Sequence, residues 1–531
     1  MRNNWSIFLS CCIIVIFLYN KIKTTEPKTD DKPDLDPLNL FVGSAHIVDF
    51  EVNNTNTIIL NSMAEDTNTG IERTQTTIPL YCLSDKNEKV KPHFYLTDGG
   101  QGCSWKNYFV ECQFQKVVNS LKLVDNDGYG PEIPLRRPIE RKIPLVACLS
   151  RSFYFDNWQV LFTALEMYNV MGVSEFSMNI MSINDNIYKV LQLYQQALNL
   201  TINPGIVMPM INGKDPNKNS DVMNQIMNNN ECLFDYREAA EFLFFVDIDD
   251  LIVSDNGNLL DKARELRIRY PYAAGYEFFW KTSEYIHFPS PPLFSIKNMF
   301  DGLVVLAPHH SGKSIVVPKR IDRSKLHYVR AMKFKEKPVK SIILPMTEGF
   351  TVHFRYEKNI QSTITKLNPG SAADSKGALH YLRNTTVKLL QNIKAARYDN
   401  VESQHSVSTS SIQAAHNNFQ NRLNDASFYS LVQQLPSELY FVEQFKSCLK
   451  KVPPSTIEKP TCASMKYCDI KVNDKVKCTQ VKIKYSGYAY RHINVFLATE
   501  SELVQNMDCN LKVPYVDYVS RVATVLKKHM Q

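Results

Sequence analysis

One apolar stretch, Phe242 to Val253, is broken once, by three carboxylates within four positions: Asp247, Asp249 and Asp250. Phe242–Val246 reads as a buried strand, and a second apolar run, Leu251–Val253, follows at once. Placing charge beside so much apolar surface costs free energy unless something compensates it. Asp247 and Asp249 are two residues apart, so an extended backbone points them to the same side. They can then share a divalent cation, and an all-oxygen set suits Mg2+ or Mn2+. Such an ion at the carboxyl end of a strand would hold a diphosphate. The competing reading is a solvated strand-to-helix turn in which an Asp caps the helix.

The chain around this stretch favours the metal. Leu145–Leu149 reads as a strand. Asp156 or Asn157 can cap a helix whose apolar face is Trp158, Leu161, Phe162, Leu165 and Tyr168, and Gly172 suits its end. Phe176, Met178 and Ile180 alternate as a strand does. Asn184 or Asp185 can cap a second helix carrying Ile187, Val190, Leu191 and Tyr194. A third strand is expected at Ile206–Met208, then a polar Asn-rich loop and a helix near Glu231–Glu241. A further helix carrying Leu259, Leu260, Ala263 and Leu266 follows the Asp block. Strands alternating with helices predict an α/β fold with a mostly parallel sheet, and such sheets bind ligands beyond the carboxyl ends of their strands. The chain has no Gly-x-Gly-x-x-Gly. Gly312-Lys313-Ser314 resembles the tail of a P-loop, but the required earlier glycine falls at Ala307. Phosphate is therefore left to a metal and to side chains.

The flanks read differently. Residues 38–140 form a β-rich region with strands at His46–Phe50, Phe94–Leu96 and Tyr108–Val110, and the aperiodic Pro131–Pro144 marks a boundary. Past Pro271, Tyr276, Phe278, Phe279, Trp280, Tyr285 and Phe288 could stack on a sugar or base, though ordinary core and interface packing is the better account of most of them. Residues 401–531 bring cysteines, a strand at Val481–Tyr485 and an amphipathic helix on Val516, Val519, Val522 and Leu526. A length of 531 residues suggests roughly two to four domains. The net charge of +7 is small for that size, and no basic-aromatic array argues for nucleic acid.

Trp5–Tyr19 is apolar and flanked by Arg2, Lys21 and Lys23. It is shorter than the roughly 20 residues that span a typical bilayer, but thinner membranes take shorter spans. No small-x-small cleavage pattern follows it, so residues 1–23 read as a cytoplasmic tip with an uncleaved signal anchor, ahead of a stem at 24–37. Ten cysteines remain beyond Cys11 and Cys12, an even number without a Cys-x-x-Cys pair, which favours disulfides over zinc and leaves their connectivity open. Sequons at Asn53, Asn199 and Asn384 agree with a lumenal body.

Several blocks, taken in order, resemble glycosyltransferase family 92: Leu149-Ser150-Arg151, Trp158, Glu166, Gly172-Val173 and Phe176; Asn230-Glu231-Cys232; Phe245 to Asp250; Gly312 to Pro318 with Leu326-His327-Tyr328; and Val352-His353-Phe354-Arg355-Tyr356. The resemblance implies a glycosyltransferase A fold over residues 141–400. It implies an inverting, galactosyltransferase-like enzyme of the Golgi lumen, a single-pass type II membrane protein that takes UDP-galactose to glycan acceptors such as core fucose. By position, Asp247 and Asp249 would hold Mn2+ and the diphosphate, with His353 as the late metal ligand and His327 as second choice. Arg151 and the Asn184-Asp185 turn would lie near the nucleotide. Asp250 stands where Glu is more frequent, and Glu231, near the nucleotide side, where Asp is expected. For the general base the candidates are Glu277, whose burial would raise its pKa, and Asp250, with Glu284 and Asp301 behind them. Two rivals remain at this point: a lumenal or surface glycan-binding protein that keeps the fold without catalysis, and a metal-dependent phosphoester hydrolase.

Overall fold

The strand Ile143–Ser152 is buried at nine of its ten positions, as a strand covered on both faces must be. It runs parallel to Glu175–Ile180 on one side, with Leu200–Pro204 beyond, and parallel to Ala240–Val246 on the other. The chain thus builds outward in one direction and then returns to the opposite side of its first strand. The point where the order reverses, between Ile143–Ser152 and Ala240–Val246, is where such sheets open a crevice. Beyond Ala240–Val246 the sheet turns mixed: Val304–Val316 is antiparallel to it, followed by Ala273–Tyr285, Gly349–Tyr356 and Asp250–Ser254.

The computed structural model describes residues 38–48, 56–65, 79–98, 102–285, 294–301, 303–325, 329–331, 340–356, 407–453, 470–490 and 493–519, with a few isolated positions between them. The apolar stretch at 5–19, the stem, Asn53 and Asn384 lie outside these. Among the described residues no helix is long and apolar enough to cross a membrane.

The helix Trp158–Val170 is buried from Trp158 through Tyr168, polar positions included. Glu166 is tolerated there because Tyr194 donates to it at 2.8 Å and Arg422, from the helix Thr409–Leu423, at 2.5 Å. Asn184 caps the helix Asp185–Leu198 through its side chain, and Asn199 ends that helix in the left-handed region at φ 47°. The chain enters its third strand directly from this turn, so the strand is Leu200–Pro204. Ile206–Met208, expected as that strand, is loop, and Val207 and Met208 are buried in a separate core. The next helix is Gln225–Tyr236, and Glu241, expected within it, is already in the following strand.

The N- and C-terminal stretches, read from sequence as two β-rich regions, pair into one sheet. Its order is Ser182–Asn184, Lys477–Ala489, Ile493–Asp508, Leu38–Val48, Asn56–Glu65, Trp105–Phe114 and His93–Asp98. Leu38–Val42 runs parallel to Ile493–Leu497. Ser182–Asn184 comes from the α/β layer and joins the two sheets. Val516–Val519, expected on a helix, is a strand parallel to Tyr485–Tyr488; the rest of that expected helix lies outside the described residues.

The ten cysteines beyond Cys11 and Cys12 all pair: Cys82–Cys112, Cys103–Cys462, Cys148–Cys232, Cys448–Cys468 and Cys478–Cys509. Glu231, expected near the nucleotide side, is taken up in an ion pair. Arg136 binds it at 2.6 Å and Asp235 at 3.3 Å, and His46 Nδ1 lies 3.5 Å from Asp235. This cluster fastens the helix Gln225–Tyr236 to the strand Leu38–Val48. Burial, and then the charge of Arg136, hold His46 well below the usual imidazole range.

Candidate active site

After Val246 the chain turns within three residues, Asp250 N–H donating to the Asp247 carbonyl at 3.0 Å, and leaves as the strand Asp250–Ser254. The three carboxylates therefore lie in a strand–turn–strand connection, and none of them caps a helix. Tyr168, fully buried, fixes the turn: its hydroxyl donates to the Asp250 carbonyl and accepts from Ile252 N–H, each at 3.0 Å. The register of Asp250–Ser254 against Gly349–Tyr356 sets Asp250 opposite His353, and Phe354 N–H donates to the Asp249 carbonyl at 2.8 Å.

The three carboxylates have different surroundings. Asp250 is fully buried. Trp280 Nε1 donates to its Oδ1 at 2.8 Å, His353 Nδ1 lies 2.9 Å from the same oxygen, and Lys313 Nζ is 3.3 Å from Oδ2. Burial alone would raise its pKa. The Lys313 charge and the His353 and Trp280 hydrogen bonds outweigh that and hold it at about 2. Asp247 takes Lys313 Nζ at 2.7 Å on one oxygen and the Gln225 amide on the other. Lys313 is only 3 % exposed; burial favours its neutral form, but the two carboxylates prevail and raise its pKa. Asp249 is the most open of the three, its side chain 43 % exposed. Desolvation by the surrounding walls, opposed by His353 and reinforced by its two neighbouring carboxylates, pushes it up to about 6. His353 is raised despite burial by the charge of Asp249 and the hydrogen bond to Asp250, and its ring lies 4.4 Å from that of Trp280.

Ligand atoms of Asp249, Asp250 and His353 lie within 4.8 Å of one another. Two carboxylates and one imidazole fit Mn2+ or a similar divalent ion. The sequence paired Asp247 with Asp249 for this purpose; in the structure Lys313 and Gln225 engage the two Asp247 oxygens, and the ligand atoms that come together are those of Asp249, Asp250 and His353.

A cavity of about 810 Å³ opens at the carboxyl end of Ile143–Ser152, against this cluster. Asp249, His353, Arg151 and Asp156 line it, along with Arg355 and Tyr356 from the His353 strand. Its remaining wall is the helix Tyr440–Leu449, which brings Glu443 and Lys446. Burial pushes Asp156 up to about 7, although backbone N–H groups at the start of that helix oppose the shift.

Other expected residues lie elsewhere. Asn184 and Asp185 do not line the cavity: Asn184 caps its helix, while Asp185 accepts from Thr479 at 2.8 Å and pairs with Lys189 at 2.8 Å, tying the helix to the second sheet. Glu277 is raised by burial as expected, but it pairs with Ser314 while its neighbour Phe278 pairs with Lys313. Successive strand residues face opposite sides, so Glu277 points away from the carboxylate cluster. Glu284 pairs with Arg355 in register, and Asp301 is bound to Lys297 at 2.8 Å; neither lines the cavity. His327 lies beyond Trp280, 6.0 Å between ring centres, and burial lowers its pKa. Asn199 is exposed, as a glycan acceptor must be.

The sequence reading missed Lys313, Gln225 and the helix Tyr440–Leu449. Lys313 did carry a signal: it heads the apolar run Ile315–Val317, and a cation entering a buried strand requires an anionic partner.

Residues 143–423 match the family model for glycosyltransferase family 92. Among curated relatives, the Caenorhabditis elegans "Glycosyltransferase family 92 protein F59C6.8" is 24% identical over 412 residues, 75% of each chain. The C. elegans "Glycosyltransferase family 92 protein C33H5.2" is 22% identical over 406 residues, 74% of each chain. Among solved structures, Staphylococcus aureus TarS 1-349 in complex with UDP-GlcNAc is similar at 12% identity, over 57% of this chain and 91% of that one, with a TM-score of 0.24. That superposition is too loose to carry chemistry from one chain to the other.

Proposed function

The chain belongs to glycosyltransferase family 92 and is a glycosyltransferase, and from that premise we propose that it moves a hexose, galactose favoured, from a UDP-sugar to a glycan acceptor with inversion. The observation that carries this reading is the Asp249–Asp250–His353 cluster at the edge of a cavity large enough for a nucleotide-sugar, at the point where the strand order reverses. Asp249, Asp250 and His353 would hold Mn2+ or another divalent ion. Bound there, the ion supplies positive charge against the negative charge gathering on the departing diphosphate.

The chain's own residues do the rest. Lys313 holds Asp247 and Asp250 in place through its two ion pairs and favours the ionised form of Asp250, so the site is ordered before any ligand arrives. Trp280 and Tyr168 hold the turn and the face of His353. The acceptor hydroxyl must lose its proton to a base within hydrogen-bond reach. Asp250 is buried and ion-paired and Glu277 faces away, so we place that role with the cavity carboxylates Asp156 or Glu443. The five disulfides and the exposed Asn199 support a lumenal body. With the apolar stretch at 5–19 they support a type II membrane protein of the Golgi.

The test is UDP release by the purified full chain in detergent, with Mn2+, a panel of UDP-sugars, and N-glycan acceptors present or absent. Release that needs one donor and an acceptor, and is lost in Asp249→Ala, is expected. Glycan binding without turnover of any donor would return the protein to the non-catalytic binding reading, and release that needs only water would favour hydrolysis.

A further inference from the structure

The helix Tyr440–Leu449 lies beyond the residues that match the family model, yet it forms a wall of the cavity. Its two sides differ. Phe441 and Cys448 are buried, and Phe441 and Phe445 pack on the segment that follows the first strand of the sheet. Phe445 meets Phe153 edge-on at 5.2 Å, and Phe441 lies 5.5 Å from Tyr154. Asp156, from the same segment, accepts from Phe441 N–H at 2.6 Å. The Cys448–Cys468 disulfide holds the far end. The helix is thus bound to the floor of the cavity at its start and its middle, and its end is tied to Cys468.

The other side carries charge. Glu443, Lys446 and Lys450 are three and four residues apart, the spacing of one helical face, and all three line the cavity. The Lys446 ammonium reaches across to the strand that carries His353, 5.3 Å from the Tyr356 ring centre. Asp249 and His353 lie on that opposite side, and Arg355 lines the cavity as well.

We propose that this helix supplies the diphosphate grip of the donor site, with Lys446 and Lys450 binding the phosphate oxygens from the side opposite Asp249. The proposal rests on the donor reading above. A diphosphate presents two adjacent anionic groups, and a site with cation ligands on one side only leaves the outer oxygens to solvent. A lysine is suited to the second side because it is a compact charge with three donors on a flexible stem. In transfer, the bond between the anomeric carbon and the diphosphate oxygen breaks with its electron pair left on that oxygen. The acceptor oxygen bonds to the carbon and gives its proton to a cavity carboxylate. Charge therefore grows where the lysines stand, and they stabilise the departing group more than the intact donor. Glu443, on the same face, offsets part of this charge and keeps the wall from binding anions indiscriminately.

The experiment is calorimetric titration of the full chain with UDP and with UMP, at fixed Mn2+, for the native protein, Lys446→Met, the double variant Lys446→Met/Lys450→Met, and Lys446→Arg. The double variant is expected to bind UDP about 10- to 100-fold more weakly, the range for lost charge-assisted hydrogen bonds, with UMP affinity unchanged and with Lys446→Arg close to native. Retained UMP binding shows that the cavity is still folded. Equal UDP affinity in native and double variant overturns the proposal while leaving the donor reading intact, and equal loss of UDP and UMP also overturns it. If the native protein binds neither nucleotide, the donor reading itself fails and this proposal fails with it.

Discussion

Trp280 donates its indole N–H to Asp250 Oδ1 at 2.8 Å while its ring lies 4.4 Å from that of His353. One side chain thus orients two of the three groups that could ligate a metal. Trp280→Phe keeps an aromatic ring beside His353 and removes only the donor. Losing such a supporting hydrogen bond typically costs about 10- to 100-fold in metal affinity. Mn2+ titration followed by electron paramagnetic resonance should show that drop with the melting temperature nearly unchanged.

Lys313→Met removes the buried cation between Asp247 and Asp250. Two carboxylates are then left facing each other in a poorly solvated place, and breaking a buried ion pair this way destabilises by about 3–5 kcal/mol. Urea unfolding should show it. Added Mn2+ should recover more stability in the variant than in the native chain, since the ion then meets carboxylates with no internal counter-charge.

Asp156 has its carboxyl raised to about 7 by burial. Its folded value lies above the unfolded one, so the native state binds the extra proton between about pH 4 and pH 7. The stability this contributes is full below about pH 4 and is lost as pH rises through 7. Asp156→Asn keeps an acceptor for Phe441 N–H and removes the titration. The stability of the variant relative to native should therefore improve by up to about 1.4 kcal/mol per pH unit across that window. Urea midpoints at about pH 5, 6 and 7.5 check the slope.

Cys148 and Cys232 join the first strand of the sheet to the helix Gln225–Tyr236, 84 residues apart in sequence. Cys148→Ala/Cys232→Ala should lower stability by about 2–5 kcal/mol. The remaining four disulfides should still form, and tryptic mapping under non-reducing conditions would verify this before the urea midpoint is compared.

Much of the α/β layer was legible in the sequence, since Leu145–Leu149, the Trp158 helix and the Asp block announce themselves by local periodicity and by an abrupt change from apolar to charged. The site was legible in part. Asp249, Asp250 and His353 were all singled out, and Arg151 does line the cavity. The side on which Glu277 falls depends on its register against Ser314 and Lys313, which no local pattern specifies. Asn184 and Asp185 have the composition of a binding turn, but Asn184 caps its own helix and Asp185 is drawn to Thr479, 294 residues away. Lys446 was invisible for the same reason: its chemistry depends on a helix packing against Phe153 and Tyr154, far from it in sequence.

The shared sheet has a consequence for biosynthesis. Asn39 and Asn494 touch across neighbouring strands, 455 residues apart. At about 5–20 residues per second, Leu38–Val48 would be made roughly 20 to 90 s before its neighbour Ile493–Asp508. Over that interval the nascent chain carries an apolar strand edge at Leu38–Val42 whose partner has not been made. Open edges of this kind pair with other chains, so the nascent protein is exposed to mispairing until its last tenth is made. A chain ended at residue 423, where the family match stops, would keep that edge permanently and should aggregate on expression.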